Sequence, residues 1–359
     1  MQLWTTGVAS ARGAARTAAE IEAAGWDGML VVDSQNLSGD PYVSLALAAT
    51  ATTRIGLGTG VTNSVTRHEA ATATAITSVI RISNGRAVLG IGRGDSALAH
   101  LGRGPARLSQ FERYLAQLQT YLKGEAVPFD EIDIPPDVAP PMSELELHDA
   151  PSSSRIAWIA DGLKKGDVKV PVEVAASGPR VIAQAARHAE RVMFTLGADV
   201  ERLEWGIATA RKARQDAGLD PDAIAYGAYI NMGCHTDIEA ARRLVRGGLT
   251  TFARFSVMHG KANGPVSAKD RGVLENLRNN YDMKAHTQGD SRQAGTLTDD
   301  FVDRFAITGS PERCIERLRS LAALGLDKVA ISGGARGAEA GDVAVNKDLV
   351  ARHVLPAMH

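Results

Sequence analysis

Hydrophobic and polar positions along the first third of the chain alternate between two periods. The short apolar runs "QLWTTG", "GMLVVDS", "RIGLGTGV" and "AVLGIG" read as buried strands. Between them, apolar residues recur at helical spacing. Ala14, Ala18 and Ile21 share one face of a helix over 11–24, which Gly25 stops. Pro41 opens a second helix, at a first-turn position where its missing N–H costs nothing. A third helix is predicted over 67–82, and a fourth carries Leu108, Phe111, Leu115, Leu118 and Leu122 on one stripe. Four strand–helix units in a row predict parallel strands with right-handed crossovers.

The pattern breaks after the fourth helix. Prolines and acids crowd residues 126–155, so an irregular insertion or lid is expected there, with its far boundary near 165. Alternation resumes at "VPVEVAASGPRVIAQAARHAERVMF" as strand, helix and strand. A helix near 200–217 and the strand "AIAYGAYINMG" follow. Residues 255–300 form a second polar, glycine-punctuated stretch, expected to cover a site. The last unit is "TGSPERCIERLRSLAALGLDKVAISGG", in which Ser310 caps the helix, Pro311 begins it and Gly325 ends it. About eight such units favour a single (β/α)8 TIM barrel domain over 1–359, with the two insertions as its cover. The rival is a doubly wound open sheet.

Composition narrows the function classes. The chain has 359 residues, 44% hydrophobic and 23% charged, with a net charge of −1. No basic field for nucleic acid or an anionic membrane follows from that balance. No run approaches the length of a membrane span, and "MQLWTTGVASARGAAR" has no apolar signal core. Two cysteines, Cys234 and Cys314, give no disulfide framework, so a reducing cytoplasm is expected. The histidines (His68, His100, His148, His188, His235, His259 and His286 among them) have no metal-face spacing, and no metal is expected. The G-x-S-x-G elbow of serine hydrolases is absent.

Four stretches at strand ends carry candidate chemistry. In "GIGRGDS", Gly90, Gly92 and Gly94 alternate before Asp95 and Ser96. A dinucleotide turn would follow the first strand, and this follows the fourth. The readings left are a tight barrel turn and a backbone bare enough for a planar ring. In "GLGTGVTNSVTRH", Val61 can wedge beneath a ring while Thr62 and Asn63 offer polar contacts. In "ASGPR", Ser177, Gly178, Pro179 and Arg180 sit at a strand-to-helix junction. Free backbone N–H groups and a cation there suit a phosphate, and plain helix capping is the alternative. In "VVDSQN", Asp33 ends a buried strand and Ser34 follows it, either as active-site rim or as a polar loop.

In combination and order these motifs resemble the bacterial luciferase-like flavin oxidoreductase superfamily. The likeness runs through "TAAEIEAAGWDGMLVVDS", "RIGLGTGVTNSVTRHEAATATAI", "SNGRAVLGIGRGDS", "AASGPRVIAQAARHAERVMF" and "TGSPERCIERLRSLAALGLDKVAIS". "LGIGRGDSALAHLG" is similar to the methylenetetrahydromethanopterin reductase branch, which uses the deazaflavin coenzyme F420. The resemblance implies a flavin across the C-terminal mouth of a barrel. It also implies a non-prolyl cis peptide at Gly60–Val61. Cofactor contacts are implied at Asp33, Gly60, Val61, Asn63, Gly92, Gly94, Ser96, Ser177, Gly178, Pro179 and Arg180.

One departure stands out. Many relatives carry Asp-His after the second strand, and this chain has Asp33-Ser34. A proton, where one is needed, then comes from His68, Asp95 or a residue of 255–300, or substrate and flavin pass it themselves, with Ser34 facing the reaction. The function placed first is a reduced-FMN two-component monooxygenase, served by a separate flavin reductase and acting on a small organic molecule. The alternative is F420-dependent hydride transfer, which calls for extra cations near the phosphate site, from Arg180, Arg93 and Arg103. A third reading is a non-catalytic flavin-binding protein. A cytoplasmic homo-oligomer without nucleic-acid or membrane partners is expected. Trp4, Trp158, Phe252 and Phe255 are the aromatic candidates for the pocket wall.

Overall fold

The computed structural model describes residues 1–160, 169–258, 260–332 and 336–359. Eight parallel strands form its centre. They are β1 (Gln2–Val8), β2 (Gly28–Val32), β3 (Gly56–Thr59), β4 (Ala87–Gly92), β5 (Val172–Ala176), β6 (Arg191–Phe194), β7 (Ala225–Cys234) and β8 (Lys328–Ser332). Each pairs with the next, and β8 returns to β1 with Val329 opposite Leu3. An open doubly wound sheet would keep two edges. This ring closes, so the architecture is the (β/α)8 barrel.

The surrounding helices follow the predicted order. They are α1 (Ala14–Ala23), α2 (Pro41–Ala51), α3 (Glu69–Ile82), α4 (Leu108–Leu122), α5 (Pro179–His188), α6 (Val200–Asp216) and α7 (Ile238–Phe255). After α7 come α8 (Ala268–Asn279), α9 (Asp299–Phe305), α10 (Pro311–Ala323) and α11 (Ala340–Leu349). The start of α3 differs from the expected 67. His68 is its N-cap, and His68 Nδ1 accepts from the Ala70 N–H at 3.2 Å. Ser310 is the N-cap residue of α10, but its hydroxyl donates to Glu312 Oε2 at 2.6 Å instead of accepting a backbone N–H.

The bottom of the barrel, where strands begin, is plugged. Trp4 lies across the starts of β2 and β3, and a Cβ at Gly28 or Gly56 would sit 2.3 Å from its ring. Beneath the ring, Lys328 Nζ stands 3.3 Å from its centroid and 2.7 Å from Glu173 Oε2, while Arg191 also pairs with Glu173. Lys328 and Glu173 are fully buried, and burial pushes the lysine down to about 8 against the pull of the carboxylate. Above the plug, Leu30, Met193, Tyr229 and Ala330 fill the interior.

The two insertions lie at opposite ends. The first leaves the C-terminus of α4 and leads to the start of β5, which fixes it to the bottom. Asp133 pairs with Arg113, and Glu131 accepts from the Gln117 amide, so the segment lies along α4. Trp158 lies 5.8 Å under Arg81 and is exposed, far from the role of pocket wall. The expected cover over 126–165 is thereby corrected for its described part, and 161–165 lie outside the described residues. The second insertion follows β7 and α7, on the side of the strand ends. It packs its own core, with Leu274, Leu277, Phe301 and Phe305 against Val245 and Leu249 of α7. Among the described residues, no helix is long and apolar enough to cross a membrane.

Candidate active site at the barrel mouth

A cavity of about 440 Å³ opens at the C-terminal ends of the strands. That is the end at which barrel enzymes place their chemistry, and the volume is in the range of ligand pockets. All but one of the expected catalytic and cofactor-contact residues line it. Ser34, Asp33, Gly60, Val61, Asn63, Gly92, Gly94, Asp95, Ser96, Ser177, Gly178, Pro179 and Arg180 come together on its wall.

His68 is the exception. It does not line the cavity, because its Nδ1 caps α3 and its Nε2 lies 3.4 Å from Glu69 Oε1. Its expected part in proton transfer is corrected on that ground. Of the aromatic candidates, Phe252 and Phe255 line the cavity, and Trp4 belongs to the bottom plug. His259 lies outside the described residues.

The floor is built by the ends of β2 and β3. The Gly60–Val61 peptide is cis, and β3 resumes as Thr62–Asn63 beside the end of β4. Asp33 Oδ2 accepts from Thr62 Oγ1 at 2.7 Å and Oδ1 from Gln35 Nε2 at 2.5 Å. Burial raises this carboxyl above the usual range, opposed by Thr62 and by the charge of Arg67. Asn63 Oδ1 accepts from the N–H groups of Val65 and Thr66, each at 3.0 Å. Its orientation is thus fixed, and its Nδ2 is buried with no partner among the described residues, as is the Tyr229 hydroxyl. Two orphaned polar groups on one cavity wall are what a polar ligand would satisfy.

The three glycines of "GIGRGDS" divide between two tasks. A Cβ at Gly90 would fall 2.1 Å from Thr59 O, and Thr59 Oγ1 donates to Gly90 O at 2.7 Å. Gly90 therefore serves strand packing. Gly92 and Gly94 line the cavity, and Gly94 needs its φ of +79° to turn the chain. Beyond them Asp95 pairs with Arg254 of α7, whose guanidinium lies 4.6 Å over the Tyr281 ring.

The opposite corner is cationic. Helix α5 begins with Pro179, and no side chain caps its first turn. Ser177 does not act as a cap; its hydroxyl donates to Phe255 O at 3.3 Å. Arg93 and Arg180 converge here, because the charge of Arg180, after burial, is what lowers the Arg93 pKa. Arg93 Nε donates to Ala106 O at 2.7 Å. Among the described residues neither arginine has a carboxylate partner. Two unneutralised cations beside a helix N-terminus form an anion site that fits a phosphate. Arg103 is exposed, bonds only its neighbour's carbonyl, and is not on the wall.

The second insertion adds Met258, Asn263, His286 and Thr287 to the wall. From sequence, His286 was named only among the scattered histidines and 255–300 only as a stretch, while Met258, Asn263 and Thr287 were not named. Their segment has no periodicity tying it to a strand end, so only its position after β7 signalled a place over the mouth.

A family model for luciferase-like monooxygenases matches residues 2–328. The chain is 27% identical over 312 residues to a 5,10-methylenetetrahydromethanopterin reductase of Methanolobus tindarius, covering 86% of each protein. It is 28% identical to the Archaeoglobus fulgidus protein of the same name, covering 94% of this chain and 93% of the other. The solved structure of a coenzyme F420-dependent tetrahydromethanopterin reductase from Methanopyrus kandleri superposes with a TM-score of 0.70 at 20% identity. That match covers 100% of this chain and 99% of the other.

Proposed function

The chain belongs to the luciferase-like monooxygenase family, and from that membership we propose that it is an F420-dependent oxidoreductase moving a hydride between the deazaflavin and a small organic substrate. The observation that carries this choice is that Arg93 and Arg180 share the corner at the start of α5 with no carboxylate partner among the described residues. The deazaflavin bears a phosphate extended by further acidic groups, which asks for more than one cation. The two curated relatives, both methylenetetrahydromethanopterin reductases by name, support the same reading.

In this reading the cofactor, when bound, would exchange the hydride with the substrate, and the chain supplies position and surroundings. Ser177, Gly178, Pro179 and Arg180 hold the phosphate with Arg93. Val61 backs the ring, and Gly92 and Gly94 give it room, with Ser96, Asp33 and Asn63 around it. Phe252, Phe255 and Met258 keep water from the reacting face. Asp95 and Ser34 face the substrate side. The second insertion is the cover of a single barrel domain.

The second reading is a reduced-FMN monooxygenase with a separate flavin reductase. The family description supports it, and an FMN phosphate suits the same corner. A non-catalytic flavin-binding protein stands third. A cytoplasmic homo-oligomer is part of the proposal; free buried Cys234 and Cys314 and the exposed apolar Val43 and Leu47 of α2 support it.

The test is anaerobic titration of the protein with reduced F420 and with reduced FMN, followed by air. Hydride transfer predicts preference for F420 and no oxygen-linked absorbance change. Preference for FMN with a transient on aeration would establish the second reading instead.

A further inference from the structure

His286 is the histidine of the cavity, and the fold holds it there. A Cβ at Gly247 of α7 would meet Thr287 O at 2.3 Å, so the bare helix surface lets the loop press close. Gly289 N–H donates to Arg336 O at 3.0 Å, tying the loop to the segment after β8. Gln293 Nε2 donates to Asp282 O and Ala285 O, each at 3.0 Å, from within the loop.

The ring itself is oriented by one bond. His286 Nδ1 lies 2.7 Å from the Tyr281 hydroxyl. Tyr281 stacks beneath Arg254, and Arg254 pairs with Asp95, which also lines the cavity. A polar chain thus runs from the glycine turn after β4 to the loop over the mouth. Nε2 has no hydrogen-bond partner among the described residues.

We propose that His286 is the proton-transfer residue of this cavity, its Nε2 taking the proton of a substrate hydroxyl as the hydride leaves the adjoining carbon. The proposal rests on the F420 reading above. The substrate C–H bond breaks with both electrons passing to the oxidised deazaflavin. The O–H bond breaks with its proton passing to Nε2, and a carbonyl remains. The substrate loses two electrons and the deazaflavin gains them. In the reverse direction the imidazolium returns the proton.

Tyr281 is the positioning residue. The groups facing the imidazole are Tyr281 from its own segment, Arg254 from α7 and His100 from the turn after β4, with Asp95 behind Arg254. Burial, then the charges of Arg254 and His100, lower the ring to about 4, so it stands neutral and ready to accept at pH 7.

The experiment is NMR of the full chain with 15N-labelled histidine, with and without saturating oxidised F420. One imidazole should titrate near 4, vanish in His286→Gln, and show a shifted Nε2 resonance when F420 binds. Tyr281→Phe should move its Nδ1 resonance. With 2-propanol as the probe alcohol, His286→Gln should lower kcat about 100-fold or more. The F420 Kd should stay unchanged, and free imidazole should restore part of the rate. A wild-type protein that does not oxidise 2-propanol is judged on the resonance alone. An Nε2 resonance unmoved by bound F420, or an unchanged kcat and pH profile in His286→Gln, overturns the proposal. Failure of the wild type to bind F420 overturns instead the cofactor reading beneath it.

Discussion

The two ends of this barrel handle charge in opposite ways. At the bottom, Lys328 and Glu173 are buried and Arg191 is half-buried, the three satisfy one another, and Trp4 seals them from above. At the mouth, Arg93 and Arg180 repel each other, and among the described residues they have no carboxylate partner, while Asn63 and Tyr229 keep buried polar atoms unpaired. A fold alone gains nothing from the second arrangement. The bottom is arranged for stability and the mouth for a ligand. The insertions follow the same division. One hangs beside α4 at the bottom, and the other folds over the mouth.

The sharpest break in this contrast is at the bottom. Glu173→Gln leaves Lys328 buried without its counter-charge, which should cost about 3–5 kcal/mol by urea unfolding. The folded fraction should bind F420 as before. Next, Arg180→Ala should weaken F420 binding by about 1.5–3 kcal/mol, the worth of a charge-assisted hydrogen bond. Its melting temperature should hold or rise, since a repulsion is relieved. Fluorescence titration and thermal melts check the pair of outcomes.

Two glycine substitutions sharpen the comparison further. Gly28→Ala places a methyl 2.3 Å from Trp4 and should cost about 1–3 kcal/mol of stability. Gly178→Ala meets nothing nearer than the Asn263 amide at 3.5 Å. It should leave the melting temperature unchanged while crowding the phosphate and weakening F420 binding.

A pH dependence separates the mouth from the bottom as well. His286 ionises near 6.5 in the unfolded chain and near 4 when folded. Between those values the unfolded chain holds more proton, so stability falls as pH falls from 6.5 to 4. His286→Gln should flatten that slope in urea midpoints measured across the interval.

Most of the barrel was legible because each strand and helix announces itself by local period. The glycine turns and "ASGPR" were legible because a strand end followed by bare backbone is a local signal. Arg93 and Arg180 were named from sequence as cations for the phosphate site, but that both reach one corner was not legible across residues 87 apart in the chain. The part of Gly90 in strand packing was not legible, because its need arises from Thr59 on the neighbouring strand. The first insertion misled. Its composition suggested a lid, but composition does not say to which end of the barrel an irregular segment folds, and this one pairs along α4. His286 was hidden because an aperiodic loop carries no sequence sign of where its side chains face.

The most direct measurement of the central claim is a fluorescence titration of oxidised F420 into the wild type and into a variant carrying both Arg93→Ala and Arg180→Ala, with FMN run beside it. Tight F420 binding by the wild type, weak FMN binding, and loss of F420 binding in a variant that melts as the wild type does are the predicted results. F420 binding indifferent to the two arginines, or a preference for FMN, would contradict the account.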